Sequence, residues 1–201
     1  MNSLLTLNAP LILASQSPRR RALLEQMGLS FRVQVSPVDE HLDPPRSPRE
    51  TARTLAARKA KPVAASHPSA LVLAADTIVA HQDTILEKPA TPDEARRMLR
   101  RLSEDTHTVY TGFALRHDGS DRAVIDGQST NVTFGPLDDA EIDAYVETRS
   151  PMDKAGGYGI QDHTAPLFID HLDGDYYNVV GLPLRRLYLV LRDAFSDLLT
   201  S

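Results

Sequence analysis

Three consecutive arginines, Arg19 to Arg21, follow Ser15, Ser17 and Pro18 at what reads as the start of a helix, directly after an apolar strand. Positive charge is least favoured there. The helix dipole presents its positive end at the N-terminus, and each misplaced exposed charge costs about 0.3–1 kcal/mol. Other helix starts in the chain make the opposite choice. Ser47-Pro48-x-Glu50, Thr91-Pro92-x-Glu94 and Asp138-x-x-Glu141 each set a carboxylate three residues behind a capping side chain. Against them, Ser17-Pro18-x-Arg20 is inverted. An anion from outside the protein removes the penalty. Free backbone N–H groups, the Ser15 and Ser17 hydroxyls and the guanidinium forks of Arg19 and Arg20 make a cradle for phosphate at a strand–loop–helix junction. The bland alternative is a solvated basic face; the position after a buried strand favours a polyphosphate site.

Asp76 stands inside the apolar run LVLAADTIVA. A carboxylate in such a run must be paired, metal-bound or titrate upward. Ionised, it could orient and deprotonate water or hold a divalent cation. Lys88, in LEKP, could reach phosphate, although a lone lysine is more often a surface residue. Glu40 and Glu87 could join Asp76 around Mg2+ or Mn2+, since hard cations prefer oxygen ligands. The stretch DKAGGYGIQ, residues 153–161, has glycines that permit close backbone approach to a ligand or positive φ angles. It does not match GxGxxG, so it does not indicate a dinucleotide fold. Gln161 at its end could read a base edge through its amide donor and acceptor. DHLDGD, residues 170–175, lacks EF-hand spacing and reads as a turn. RRMLRR, residues 96–101, reads as a solvated helix face, and the histidines show no ligand spacing.

These residues need elements to hold them. Strands are expected at 11–15, 31–36 and 70–81, the last followed by a hairpin through HQD into TILEKP. Further strands are expected at 107–117 and 123–134, with short ones near 166–170 and 176–180. Helices are expected at 18–28 with Gly28 as the stop, at 48–65, 92–102 and 138–148, and finally at 182–196. The sum is an α/β fold with a mixed sheet, because at least one hairpin interrupts any regular βαβ repeat.

The composition bounds the rest. The chain has 201 residues, enough for one sizeable domain, and reads as an N-terminal leader over 1–10 and a single domain over 11–201. The net charge of −5 argues against a general attraction for nucleic acid. There is no cysteine, which excludes disulfides, thiolate metal sites and a cysteine nucleophile, and suits a cytoplasmic protein. No apolar stretch approaches the roughly 20 residues of a membrane helix, and the N-terminus lacks the basic start of a signal peptide.

In order along the chain, LILASQSPRRRALL, VDE, AADTIV, LEKP, VYTG, DKAGGYGIQ and NVVGLP resemble the Maf family of nucleoside triphosphate pyrophosphatases, over about residues 11–192. The resemblance implies a fold like that of the inosine triphosphate pyrophosphatases: a mixed twisted sheet with flanking helices, two lobes around a cleft, and often a homodimer. It implies hydrolysis of a nucleoside triphosphate to monophosphate and pyrophosphate with a divalent metal. By motif position Asp76 would be the general base, and Ser15, Arg20, Glu40, Lys59, Lys88 and Gln161 match functional positions. Lys59 lies in RKA where the family has EKA, so Arg58 replaces a glutamate. Arg19, Thr77 and Gln161 match the subgroup that prefers dTTP and UTP. The sister group acting on 7-methyl-GTP has tryptophan, glutamine and glutamate there. A glutamine suits the adjacent carbonyl and N–H of uracil or thymine, whereas a glutamate only accepts.

The mechanism expected on this basis is attack of water on the α-phosphorus. Asp76 activates the water, Arg19, Arg20, Ser15 and Lys59 hold phosphate, and Lys88 and Lys59 offset charge on the leaving pyrophosphate. The alternative is a nucleotide-binding regulator of septum formation with little hydrolysis; it predicts tight binding without turnover. A third reading is a phosphosugar or nucleotidyl-transfer enzyme, which a pyrophosphate-forming reaction requiring a second substrate would reveal.

Overall fold

Apolar runs bounded by turn residues build the sheet, and the computed structural model, which describes residues 5–42 and 44–200, shows how they pair. The strands are β1 (Leu11–Leu13), β2 (Arg32–Val33), β3 (Leu71–His81), β4 (Thr84–Leu86), β5 (Thr106–His117), β6 (Arg122–Phe134) and β7 (Ile169–Asp173). The helices are α1 (Pro18–Gln26), α2 (Pro48–Ser66), α3 (Pro92–Leu102), α4 (Asp139–Glu147), α5 (Tyr176–Val180) and α6 (Leu184–Ala194). One mixed sheet runs β2-β1-β3-β5-β6-β7, with β4 paired to β3 as a hairpin. β1 is parallel to β2 and β3, while the neighbouring pairs β3–β5, β5–β6 and β6–β7 are antiparallel.

The strand period of two divides β3 between the two faces of the sheet. Leu71, Leu73 and Ala75 join a core with Leu23 and Leu24 of α1 and Leu187, Val190 and Leu191 of α6. Val72 and Ala74 face α2, whose Ala56, Ala60 and Ala64 recur at four-residue spacing. A third core lies farther along the same long strands. There Val79, Val109, Val132 and Phe134 pack with Leu99 and Leu102 of α3 and with Ile142 and Tyr145 of α4. These cores make two lobes that share β3, β5 and β6.

Small residues let α2 approach the sheet closely. A Cβ at Gly112 would stand 2.5 Å from the Ala52 carbonyl carbon and from the Arg53 nitrogen, so only glycine fits. Gly112 is the register partner of Asp76. Lys59, two helical turns beyond Ala52, is thereby carried over that carboxylate.

Several expectations are corrected. The half-buried strand expected over 31–36 is only the two-residue β2, which is exposed because it forms the outer edge of the sheet. Residues 176–180 are helical despite their aromatic and β-branched composition. Asp175 caps them, accepting from the Tyr177 and Asn178 nitrogens, and the buried Asn178 ties the helix to β5 and β6. This is tertiary context overriding strand propensity. DHLDGD is not simply a turn: it supplies the end of β7, then Gly174 at φ 137°, then that cap. RRMLRR is ion-paired rather than merely solvated, with Arg96 on Asp143 and Arg100 on Asp139, both of α4. Residues 6–8 lie against residues 198–200, with Leu7 bridged to Leu199. No helix among the described residues is long and apolar enough to cross a membrane.

Candidate active site

The sheet has a gap in its ladder beside β3. On that side β1 pairs with residues 71–73 and β4 with residues 79–81, and the stretch between them has no strand partner. Asp76 and Thr77 lie in this gap and point to opposite faces. A cavity of about 1120 Å3 opens over it, and its lining includes Ser15, Arg19, Arg20, Glu40, Lys59, Asp76, Thr77, Glu87, Lys88 and Gln161. Every site residue expected from the sequence therefore meets in one cleft.

The inverted helix start explains itself here. Ser17 caps α1 by accepting from the Arg20 nitrogen, and no acidic residue occupies the first turn. Three other starts keep their carboxylates: Ser47 with Glu50 and Asp138 with Glu141 form capping boxes, and Thr91 accepts from the Glu94 nitrogen; α5 and α6, like α1, have no acidic residue in the first turn. Arg20 turns inward. Its Nε donates to the Gly181 carbonyl at 2.9 Å, and its terminal nitrogens donate to Ser15 Oγ at 3.3 Å and Thr77 Oγ1 at 3.0 Å. Burial lowers the pKa of this guanidinium, and the charge of Asp76 pulls the other way. Arg19 stays at the rim, 3.5 Å from Asp153, and Arg21 is exposed.

On the opposite face Lys59 joins two acids. Its Nζ lies 2.5 Å from Asp76 Oδ1 and 2.8 Å from Glu40 Oε1. Asp76 is 7% exposed. Its Oδ1 accepts from Lys59, and no described residue donates to its Oδ2. Burial raises the pKa of Glu40, but the Lys59 hydrogen bond and the charges of Lys59, Lys88 and Arg20 outweigh it and hold the carboxyl below its ordinary value. Arg58, the departure from the EKA pattern, donates to the carbonyls of Asp39 and His41 at 3.2 and 2.6 Å. It grips the backbone on both sides of Glu40.

The three-carboxylate metal set of Glu40, Asp76 and Glu87 is not assembled. Among the described residues no group of three or more His, Asp or Glu side chains could hold a metal ion. The Lys59 ammonium draws Glu40 and Asp76 together, while Glu87 contributes its carbonyl, which accepts from the Gly156 nitrogen at 3.2 Å. Magnesium is often held by one or two carboxylates together with substrate phosphates. Glu40 and Asp76, already gathered on one cation, fit that smaller set. Lys88 is exposed at the cleft wall and close enough to influence Glu40.

The glycine-rich stretch is an ordered set of short turns. Gly156 and Gly157 both adopt φ 73°, and a Cβ on Gly156 would press within 2.9 Å of Val79. Sequence reading missed Lys154, 9% exposed, whose Nζ reaches Asp153 and the Ser150 carbonyl. An acid–lysine pair immediately before a glycine run was the available signal. It also missed the Gly181 carbonyl that seats Arg20, because backbone acceptors carry no sequence signature. Tyr158, in the same loop, bonds through its hydroxyl to the buried His107 Nε2 at 2.6 Å.

His107 gives the fold a pH dependence. Burial, assisted by His81 and opposed by Asp105, pushes its pKa from 6.5 down to about 4. Above pH 6.5 both folded and unfolded chains hold the ring neutral. Between 6.5 and about 4 only the unfolded chain takes the proton, so stability falls as pH falls, by about 3 kcal/mol in total. Thermal unfolding at pH 7 and pH 4 checks this. His107→Gln, which keeps a polar partner for Tyr158 but does not titrate, loses less stability over that interval than the unsubstituted protein. Equal losses would assign the acid sensitivity to other groups.

A family model described as Maf-like protein matches residues 10–194. The dTTP/UTP pyrophosphatase of Salinibacter ruber is 63% identical over 199 residues, which is 99% of this chain and 98% of that protein. The dTTP/UTP pyrophosphatase of Halalkalibacterium halodurans is 52% identical over 183 residues, 91% of this chain and 95% of that protein. That of Bacillus mycoides is 46% identical over 187 residues, 93% and 96% of the two chains.

Proposed function

The chain belongs to the Maf family, and from that membership and the geometry of its cleft we propose that it is a nucleoside triphosphate pyrophosphatase, hydrolysing dTTP and UTP to the monophosphate and pyrophosphate. The observation that carries the reading is the convergence at the gap in β3. Arg20 reaches it from one face of the sheet and the Lys59–Asp76–Glu40 group from the other. A polyphosphate needs the first, and a water to be deprotonated needs the second.

In this reading the triphosphate lies along Ser15, Arg19, Arg20 and the start of α1. A water seated against Asp76 Oδ2 attacks the α-phosphorus as its proton passes to that oxygen. The bond from the α-phosphorus to the oxygen bridging to the β-phosphorus breaks, and pyrophosphate leaves with the electron pair. Lys59 holds Asp76 in place through Oδ1. Lys59 and Lys88 offset the charge that accumulates on the leaving group, the electrostatic contribution that weighs most in such sites. Mg2+ or Mn2+ carried in with the substrate would be held by Glu40 and Asp76 and would neutralise charge on the phosphate oxygens.

Gln161, exposed at the cleft, offers an acceptor and a donor to the adjacent N–H and carbonyl of uracil or thymine. Arg19 and Thr77 complete the selectivity set. Thr77 acts through Arg20, since its hydroxyl is engaged by that guanidinium and by Thr111 Oγ1 at 3.0 Å. The same reading takes residues 11–201 as one catalytic domain, working as a cytoplasmic homodimer on free nucleotides rather than on nucleic acid or membranes. The test is product identification with UTP or dTTP and magnesium. UMP or dTMP with pyrophosphate is expected; orthophosphate with a nucleoside diphosphate would overturn the assignment.

A further inference from the structure

Gln161 leaves the protein from a turn, and its amide forms no hydrogen bond to any described residue. Reading a base requires that amide to stand where both its donor and its acceptor meet their partners at about 2.9 Å. Whatever fixes its place must act on the backbone around it.

One hydroxyl does so on both sides. Tyr145 belongs to α4 and is 1% exposed, its ring set edge-on to Phe168 with centroids 5.3 Å apart. Its hydroxyl donates to Asp162 Oδ2 at 2.5 Å and accepts from the Gly159 nitrogen at 3.2 Å. Gly159 and Asp162 bracket Ile160 and Gln161, and the Asp162 nitrogen closes the turn on the Gly159 carbonyl at 2.9 Å. Ser150 Oγ donates to the same Asp162 oxygen at 2.8 Å, and Lys154 Nζ lies 3.5 Å from it. The Lys154 side chain also lies flat against Gly159, where a Cβ would meet its Cε at 2.6 Å. The hydrolytic steps above use neither Tyr145 nor Asp162.

We propose that Tyr145 and Asp162 are positioning residues for base selection: by clamping the turn on both sides of Gln161 they fix where its amide meets the pyrimidine. The inference rests on the pyrophosphatase reading and adds the device that makes Gln161 selective. Tyr145 suits the task. Burial and then the neighbouring Asp162 push the pKa of its hydroxyl well up, so it remains a donor throughout the neutral range. Its ring is anchored in the core formed with α3 and α4, among Leu99, Leu102 and Ile142, so the reference point is a packed core. A side chain fixed through its backbone neighbours keeps its own polar groups free for the ligand, which is what a specificity residue needs.

The test compares kcat and KM for UTP and CTP in the full-length protein and its variants. Tyr145→Phe keeps the ring and removes the clamp. Its preference for UTP over CTP, as the ratio of kcat/KM values, falls about tenfold, the discrimination carried by roughly one hydrogen bond. The loss appears in KM for UTP, with kcat within about threefold, because no transition-state contact is removed. Asp162→Ala behaves in the same way, whereas Asp162→Asn, which can still accept from Tyr145 and Ser150, retains the preference. A folded Tyr145→Phe variant whose UTP preference is unchanged would overturn the inference, as would a loss of kcat alone. Should that variant fail to fold, Ser150→Ala removes the second donor to Asp162 and lowers the preference; an unchanged ratio there overturns the inference equally. Wild-type protein that hydrolyses neither nucleotide would strike the parent reading, an outcome distinct from active protein with an unaltered preference.

Discussion

Asp76→Asn lowers kcat for UTP and dTTP by about 10²- to 10⁴-fold, the range that a positioned general base contributes, and leaves the thermal unfolding midpoint almost unchanged. The substitution is nearly isosteric, so the gap in β3 keeps its shape. The amide oxygen can still accept from Lys59, and Lys59 keeps Glu40 as its anionic partner at 2.8 Å. Neither a cavity nor an unpaired buried charge is created, which are the usual sources of large destabilisation. What is lost is the proton acceptor facing the water. Steady-state rates together with thermal unfolding check both halves, and a rate within tenfold of the wild type would remove Asp76 from the role of base.

Arg20→Ala has the second largest effect, a loss of about 10²- to 10³-fold in kcat/KM, comparable to deleting one preorganised donor to a developing anion. Arg20 is the only one of the three consecutive arginines that turns inward to meet Ser15, Thr77 and Gly181. Its removal leaves the Gly181 carbonyl without that donor and withdraws positive charge from the neighbourhood of Asp76. Arg20→Lys restores little. A lysine carries a point charge with a single head, and it cannot donate from three nitrogens to three differently placed oxygens. Separate kcat and KM values and the unfolding midpoint are the measurements. Activity per folded molecule that stays near the wild-type value would reduce Arg20 to a structural role.

Legibility in the sequence followed the range of the interactions involved. β3 and α3 could be read nearly to the residue, because an unbroken apolar run and a Thr91–Glu94 cap are local signals. The anomaly at Arg20 was equally local, a charge at odds with the dipole of its own helix. Residues 176–180 could not be read as a helix from their composition. Their conformation depends on Asn178, whose amide reaches the Val109 carbonyl and Thr130 Oγ1 across the sheet. Lys59 and Asp76 are 17 positions apart, and only the close seat of α2 on Gly112 brings them together. Glu40, Asp76 and Glu87 had the right chemistry for a metal trio, but Lys59 pairs with the first two, and among the described residues the three do not come together as a metal-holding group. The clamp on Gln161 was hidden for the same reason: Tyr145 reads as an ordinary core aromatic until its hydroxyl is seen to meet Asp162 and Gly159.

The central claim is that water attacks the α-phosphorus beside Asp76, and hydrolysis of UTP in oxygen-18 water tests it most directly. The label is predicted to enter the phosphate of UMP while pyrophosphate remains unlabelled. Label in pyrophosphate or in orthophosphate would mean attack at another phosphorus, and the site described here would then have been assigned the wrong reaction.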